Sequence, residues 1–109
     1  MFKEVKGMLP VSGNAYDGEI ILQIKAAALD LTSSTEIRLE GVIDIERDEV
    51  TGEITDNSTV EDELVITAIG TWCNMRIGNP PNYENLRQAY NSLKGQMRLS
   101  RRYNGGGDG

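Results

Sequence analysis

The stretch STVEDELVITAIGTWCNMRIGNPPNYENLRQAYNSLKGQM, residues 58–97, decides the fold. It holds two helical patterns around a stop signal. Ser58 and Glu61 have the spacing of a capping box, each side chain able to accept the other's backbone N–H. The helix they open carries Val60, Leu64, Ala68, Trp72 and Met75 on one face, widened by Val65, Ile69 and Cys73. Gly78-Asn79-Pro80-Pro81 then ends it, because glycine suits a helix terminus and proline cannot continue one. Asn82 caps the next helix, where Tyr83, Leu86, Tyr90, Leu93 and Met97 recur at steps of three and four. Asn85, Arg87, Gln88, Asn91, Lys94 and Gln96 fall outside that seam. Two long helices joined by so few residues predict an antiparallel pair.

Upstream, Phe2, Val5, Met8 and Leu9 predict a short helix, ended by Pro10 and the loop Val11–Tyr16. Asp17 can cap a second helix, with Glu19 in its first turn. Ile20, Ile24, Ala27 and Leu31 line its face, widened by Ile21, Ala28 and Leu29, and Thr32-Ser33-Ser34-Thr35 is its expected stop. The period then changes to two. Ile37, Leu39, Ile43 and Ile45 alternate with Arg38, Glu40, Asp44 and Glu46, interrupted at Gly41 where a bulge is expected. Val50-Thr51-Gly52-Glu53-Ile54 supplies a turn and a return strand.

These patterns predict a mainly α protein: a small helical bundle with an antiparallel long-helix pair and a β-hairpin insertion at about 37–56. The bundle forms a single domain over residues 1–103, and Asn104–Gly109 forms a flexible glycine-rich tail, 104–109. Ile24, Leu31, Leu64, Ala68, Trp72, Leu86, Tyr90 and Leu93 are its expected core and helix seam. An isolated hairpin is marginal in water, so this one should lean on the helices or on another subunit.

Charge and composition exclude several functions. The chain has 109 residues, 39% of them hydrophobic, and a net charge of -6. An acidic protein lacks the clustered Lys and Arg that phosphate contacts need, so general nucleic-acid binding is not expected. No apolar run approaches bilayer length, and the first residues lack the apolar core of a secretion signal. One cysteine allows no internal disulfide, which fits a reducing cytoplasm and makes Asn57-Ser58-Thr59 a chance glycosylation match.

The chemistry-bearing residues are sparse. With no histidine, the usual neutral-pH proton shuttle and the commonest zinc ligand are missing. Cys73 sits within an apolar helix face and reads as core packing. The acidic run Asp44-Ile45-Glu46-Arg47-Asp48-Glu49 fails as a calcium loop: Glu49 stands where the sharp turn wants glycine, and Thr55 where a bidentate Glu belongs. Carboxylates such as Glu61, Asp62 and Glu63 are expected in a first helical turn for dipole reasons alone. No catalytic, cofactor or metal site is expected. Arg98, Arg101, Arg102 and Tyr103 admit two readings. One is a positive helix end; the other is a partner anchor in which arginine supplies forked hydrogen bonds and tyrosine an aromatic plug.

The order of these features resembles the small head–tail connector (adaptor, or head-completion) proteins of long-tailed bacteriophages and prophages. The resemblance runs from Phe2 to Tyr103. It is carried by Phe2–Lys6, by Asp17-Gly18-Glu19-Ile20 leading into Ala26–Leu31, by Asp62–Ile69, by Gly78–Leu86 and by Tyr90–Met97. The middle, Ile37–Asp56, departs from it as a longer, strand-forming insertion. The resemblance implies a homo-oligomeric ring of about a dozen subunits beneath a portal protein, closed by rotational symmetry. DNA passes through the lumen without specific binding, and a stopper or tail-completion protein docks below. The place implied is the virion, after synthesis in a host bacterial cytoplasm, with no membrane involved. It gives Arg98, Arg101, Arg102 and Tyr103 a portal-docking role. Asp44, Glu46, Asp48, Glu49 and Glu53 become a lumen-lining or inter-subunit hairpin, where negative charge lets DNA slide.

Other readings stay open from sequence: a tail-completion or other minor virion protein, a bacterial protein–protein interaction module using the helical seam, or a minor enzyme built on carboxylates.

Overall fold

The computed structural model describes residues 1–35, 37–39, 41–77 and 80–108, with side chains through Leu99. The element order is α1 (Phe2–Gly7), α2 (Asp17–Thr35), β1 (Ile45–Arg47), β2 (Ile54–Asp56), α3 (Glu63–Arg76) and α4 (Tyr83–Asp108). The protein is mainly helical with one small antiparallel hairpin, the expected fold class.

The core forms where α2 and α3 press their apolar faces together and α1 and α4 cover the sides. Val5, Ile20, Ile24, Ala27, Leu31, Ala68, Ile69 and Cys73 are fully buried there. Each large aliphatic among them contributes roughly 1.5–3 kcal/mol by leaving water. α3 and α4 run antiparallel. Trp72 and Tyr90, each nine residues from Pro81, meet with ring centroids 5.4 Å apart and planes tilted by 57°. α3 ends at Arg76 because Ile77 turns to extended backbone, buries its side chain and donates its N–H to the Cys73 carbonyl. Of the expected stop, Gly78 and Asn79 lie outside the described residues.

Several local expectations are corrected. The capping box of Ser58 and Glu61 does not form. α3 starts later, at Glu63, and Asp62 caps it by accepting the Leu64 N–H at 2.8 Å. Ser58 instead accepts the Asp44 N–H at 3.0 Å, so the hairpin recruits the residue the helix was expected to use. Val60 therefore lies before the helix, half-buried against the core. α3 is also rolled: Val65, Ile69 and Cys73 point inward, while Leu64 and Trp72 are half-buried. On α2, Leu29 faces solvent at 71% exposure rather than widening the stripe. Thr32–Thr35 does not stop α2; these residues form its last turn, with Thr35 Oγ1 donating to the Leu31 carbonyl. Asp17 lies inside the first turn of α2, since Ile20 N–H bonds the Tyr16 carbonyl. On α4, Leu86, Tyr90, Leu93 and Met97 pack as the seam predicts, but Tyr83 is exposed.

The insertion is shorter in strand than the alternation suggested. Ile37–Leu39 is irregular, and Gly41, at φ 78°, sits in a turn between Leu39 and Ile43 rather than in a bulge. Pairing begins at Ile45 with the register Ile45↔Asp56, Glu46↔Thr55, Arg47↔Ile54. Backbone bonds from Asn57 N–H to Asp44 O and from Thr59 N–H to Val42 O carry it further toward the base. The expected glycine-rich tail, 104–109, is corrected in part: Asn104–Asp108 continue α4 as helix, and Gly109 lies outside the described residues.

Candidate functional site

The hairpin is tied to the body at its base. Ile45 is buried to 1% exposure, and Ile54 is half-buried. Asp56 makes a second tie: its Oδ2 accepts the Phe2 backbone N–H at 2.6 Å and lies 2.9 Å from the terminal ammonium, capping α1 from outside. Burial alone would raise this carboxyl. The Phe2 N–H, the ammonium and the Ser58 N–H overcome that and hold it down at about 2. A further clasp joins α1 to α2, where Lys6 reaches the nearly buried Asp17 at 2.7 Å.

Beyond its base the hairpin meets solvent. Asp44, Glu46, Asp48, Glu49 and Glu53, the candidate lumen or inter-subunit residues, are all exposed. Asp48 organises the tip. Its Oδ1 accepts the Val50 N–H at 2.7 Å and the Thr51 N–H at 3.1 Å, which hold its carboxyl below the usual range. The Asp48 carbonyl accepts the Gly52 N–H at 2.7 Å, and Gly52 adopts φ 77°, a conformation glycine takes without strain. Val50 is thrust outward at 94% exposure.

A polar seam joins α2 to α3 and α4. Trp72 Nε1 donates to Gln23 Oε1 at 3.0 Å, with the Arg76 guanidinium 3.8 Å from the centroid of the Trp72 ring. Tyr90 Oη donates to Asp30 Oδ2 at 2.6 Å, and Lys94 Nζ donates to the same oxygen at 3.2 Å. Burial first, and then the bond to Asp30, push the Tyr90 hydroxyl well above its ordinary value. Arg98 Nε donates to the Ser34 carbonyl at 2.8 Å, placing positive charge on the C-terminal end of α2. Arg98, expected to dock a portal, is thus used within the chain. Side chains of Arg101, Arg102 and Tyr103 lie outside the described residues.

Of the expected core and seam residues, Ile24, Leu31, Ala68 and Tyr90 are buried, and Leu64, Trp72, Leu86 and Leu93 are half-buried. Cys73 is fully buried, and burial pushes its thiol up to about 12, so it stays protonated and inert. Among the described residues, no group of three or more Asp, Glu, Cys or His side chains could hold a metal ion. Among them too, no helix is long and apolar enough to cross a membrane. Sequence reasoning did not single out Gln23, Asp30 or Asp56, and it read Ser34 only as part of a helix stop; the bonding roles of all four come from the tertiary fold. The one visible signal was Asp30 and Ser34 standing one turn apart, both polar, beside the apolar stripe of α2.

An open groove lies between α2 and the turn that leads into the hairpin, with Ala28, Leu29, Leu39 and Ile43 in its walls and Lys25 at its edge. Compared with models of known families, with curated proteins and with solved structures, the chain matches none.

Proposed function

We propose that this protein is a structural subunit of a virion, a head–tail connector that assembles beneath a portal and receives a stopper or tail-completion protein below. The observation that carries the reading is the hairpin: its base is fixed by Ile45 and Asp56, while five carboxylates and Val50 are exposed to solvent. A fixed base makes the hairpin a stable projection, and its surface charge suits a lining past which DNA slides without sticking. The order of sequence features from Phe2 to Tyr103 supplies the family likeness. The interaction-module alternative relied on a free helical seam, but Leu86, Tyr90, Leu93 and Met97 spend that seam on the protein's own core.

The test is electron microscopy and native mass measurement of the purified protein mixed with the portal ring encoded in the same gene neighbourhood. The expected result is a ring of this chain stacked on the portal. A persistent monomer with no affinity for the portal overturns the proposal.

A further inference from the structure

We propose that the Val50 hairpin tip of one copy of this chain docks in the α2 groove of a second copy. The contact rests on the assembly reading for the presence of neighbouring copies, and it names the surfaces through which they meet.

The tip has the properties of a prepared knob. Turns usually present Gly, Asn, Asp or Ser, whose backbones or short side chains suit the bend. Here a branched aliphatic occupies the apex at 94% exposure, the most exposed large hydrophobic among the described residues. It is also held in place. The Asp48 carboxylate takes the Val50 and Thr51 N–H groups, Thr51 Oγ1 takes the Glu53 N–H at 3.1 Å, and the Asp48 and Gly52 N–H groups close the loop. A knob ordered before it binds loses little conformational freedom on docking.

The groove has the matching features. Leu29 is 71% exposed at its rim, Leu39 is buried in its floor, and Ala28 and Ile43 form the walls. Ala28 leaves room where a larger residue would fill the cleft. Leu22, one heptad before Leu29 on the same exposed line of α2, extends the apolar surface toward the start of the helix. Charge favours the same pairing. The tip carries Asp48, Glu49 and Glu53 against the single guanidinium of Arg47 beside Gly52, a net negative charge, whereas the groove edge carries Lys25, exposed and without an ion pair among the described residues. In a chain of net charge -6, copies repel unless their contacts join opposite local charges.

Geometry sets the kind of assembly. β1 runs toward the first turn of α2, since the Arg47 guanidinium lies beside Gly18, whereas the groove opens along the later turns. Knob and groove therefore occupy different ends of one surface. Such a contact is head-to-tail, and it generates a closed ring when the rotation between copies closes.

Disulfide trapping tests the contact. The native thiol does not compete, because Cys73 is fully buried. Val50→Cys and Leu29→Cys are prepared as separate proteins, each checked for wild-type helix content, then mixed under mild oxidation, alone and with the portal ring. The control replaces Leu29→Cys by Ser92→Cys, on the exposed face of α4. The expected result is a mixed Val50→Cys/Leu29→Cys product at least about fivefold above the control mixture, and its loss on adding Lys25→Glu to the groove partner. Equal yields in the two mixtures, with and without the portal, overturn the contact. Portal binding with unselective trapping sinks the contact alone; selective trapping in a protein that ignores the portal sinks the connector reading alone.

Discussion

Asp56 shows how much one carboxylate can organise: it joins the end of β2 to the start of α1 by accepting from the Phe2 N–H and the terminal ammonium. Its carboxyl titrates at about 2 in the fold against an ordinary 3.8, so the folded state binds its proton less readily than the unfolded state. Its contribution is therefore complete above 3.8 and is lost as pH falls toward about 2. Asp56→Asn should lower stability at neutral pH by ~1–2 kcal/mol, and the gap from wild type should close across that acid window. Urea titrations at several pH values check this; a gap independent of pH would show that Asp56 acts through shape alone. Gly70 is the opposite case, valued for what it lacks. The Met8 thioether lies against it, in the space a Cβ would take, so α1 and α3 meet through that close approach. Because the obstacle is the end of a flexible side chain, Gly70→Ala should be nearly neutral in the wild type. In a Met8→Ala background the clash is gone, and the same change should stabilise by ~0.5–1 kcal/mol through helix propensity. Thermal denaturation of the double-mutant cycle reads the sign.

The elements show the same residues claimed by different neighbours. Ser58 was suited to cap a helix, but it bonds the hairpin backbone at Asp44, and Asp62 takes over the cap of α3. Asp62→Ala should cost about 1 kcal/mol of global stability, as the loss of a helix cap does. Ser58→Ala should leave α3 intact and speed amide exchange at Asp44. Hydrogen-exchange NMR separates the two, and faster exchange along α3 in Ser58→Ala would restore the capping box. The alternation from Ile37 to Glu46 was legible as an extended segment, yet only its last two residues, Ile45 and Glu46, pair within β1. Ile37 and Ile43 pack against the helices instead, and a side chain buried there satisfies the apolar period without a ladder partner.

Across the whole molecule, the apolar residues divide between one internal core and several exposed sites. Met97 is the last buried residue along α4 among the described side chains, and Leu99 beyond it is 67% exposed. Removing residues 101–109 should therefore leave the thermal midpoint of the body nearly unchanged. If this end of α4 docks a portal, the same deletion should weaken portal binding by about tenfold or more, close to 1.4 kcal/mol. Calorimetry and a portal pull-down measure the two effects; unchanged binding refutes the docking role. Arg98→Ala is the companion test. Its bond to the Ser34 carbonyl predicts a small loss of stability, about 0.5–1 kcal/mol, which a pure docking residue would not produce.

Periodicity determined the four helices and the inward placement of Ile24, Leu31, Ala68, Tyr90 and Met97, and the run Gly78-Asn79-Pro80-Pro81 determined the break before the last helix. A stripe repeating at helical spacing buries itself whatever it meets, so its existence needs no knowledge of the partner. The tertiary structure decided the rest: the roll of α3 toward Val65 and Ile69, the outward turn of Leu29, and the pairing of Asp30 with Tyr90 and Lys94 across more than half the chain. Polar groups choose partners by distance and direction in space. Those quantities exist only after the apolar faces have set how the helices lie against one another.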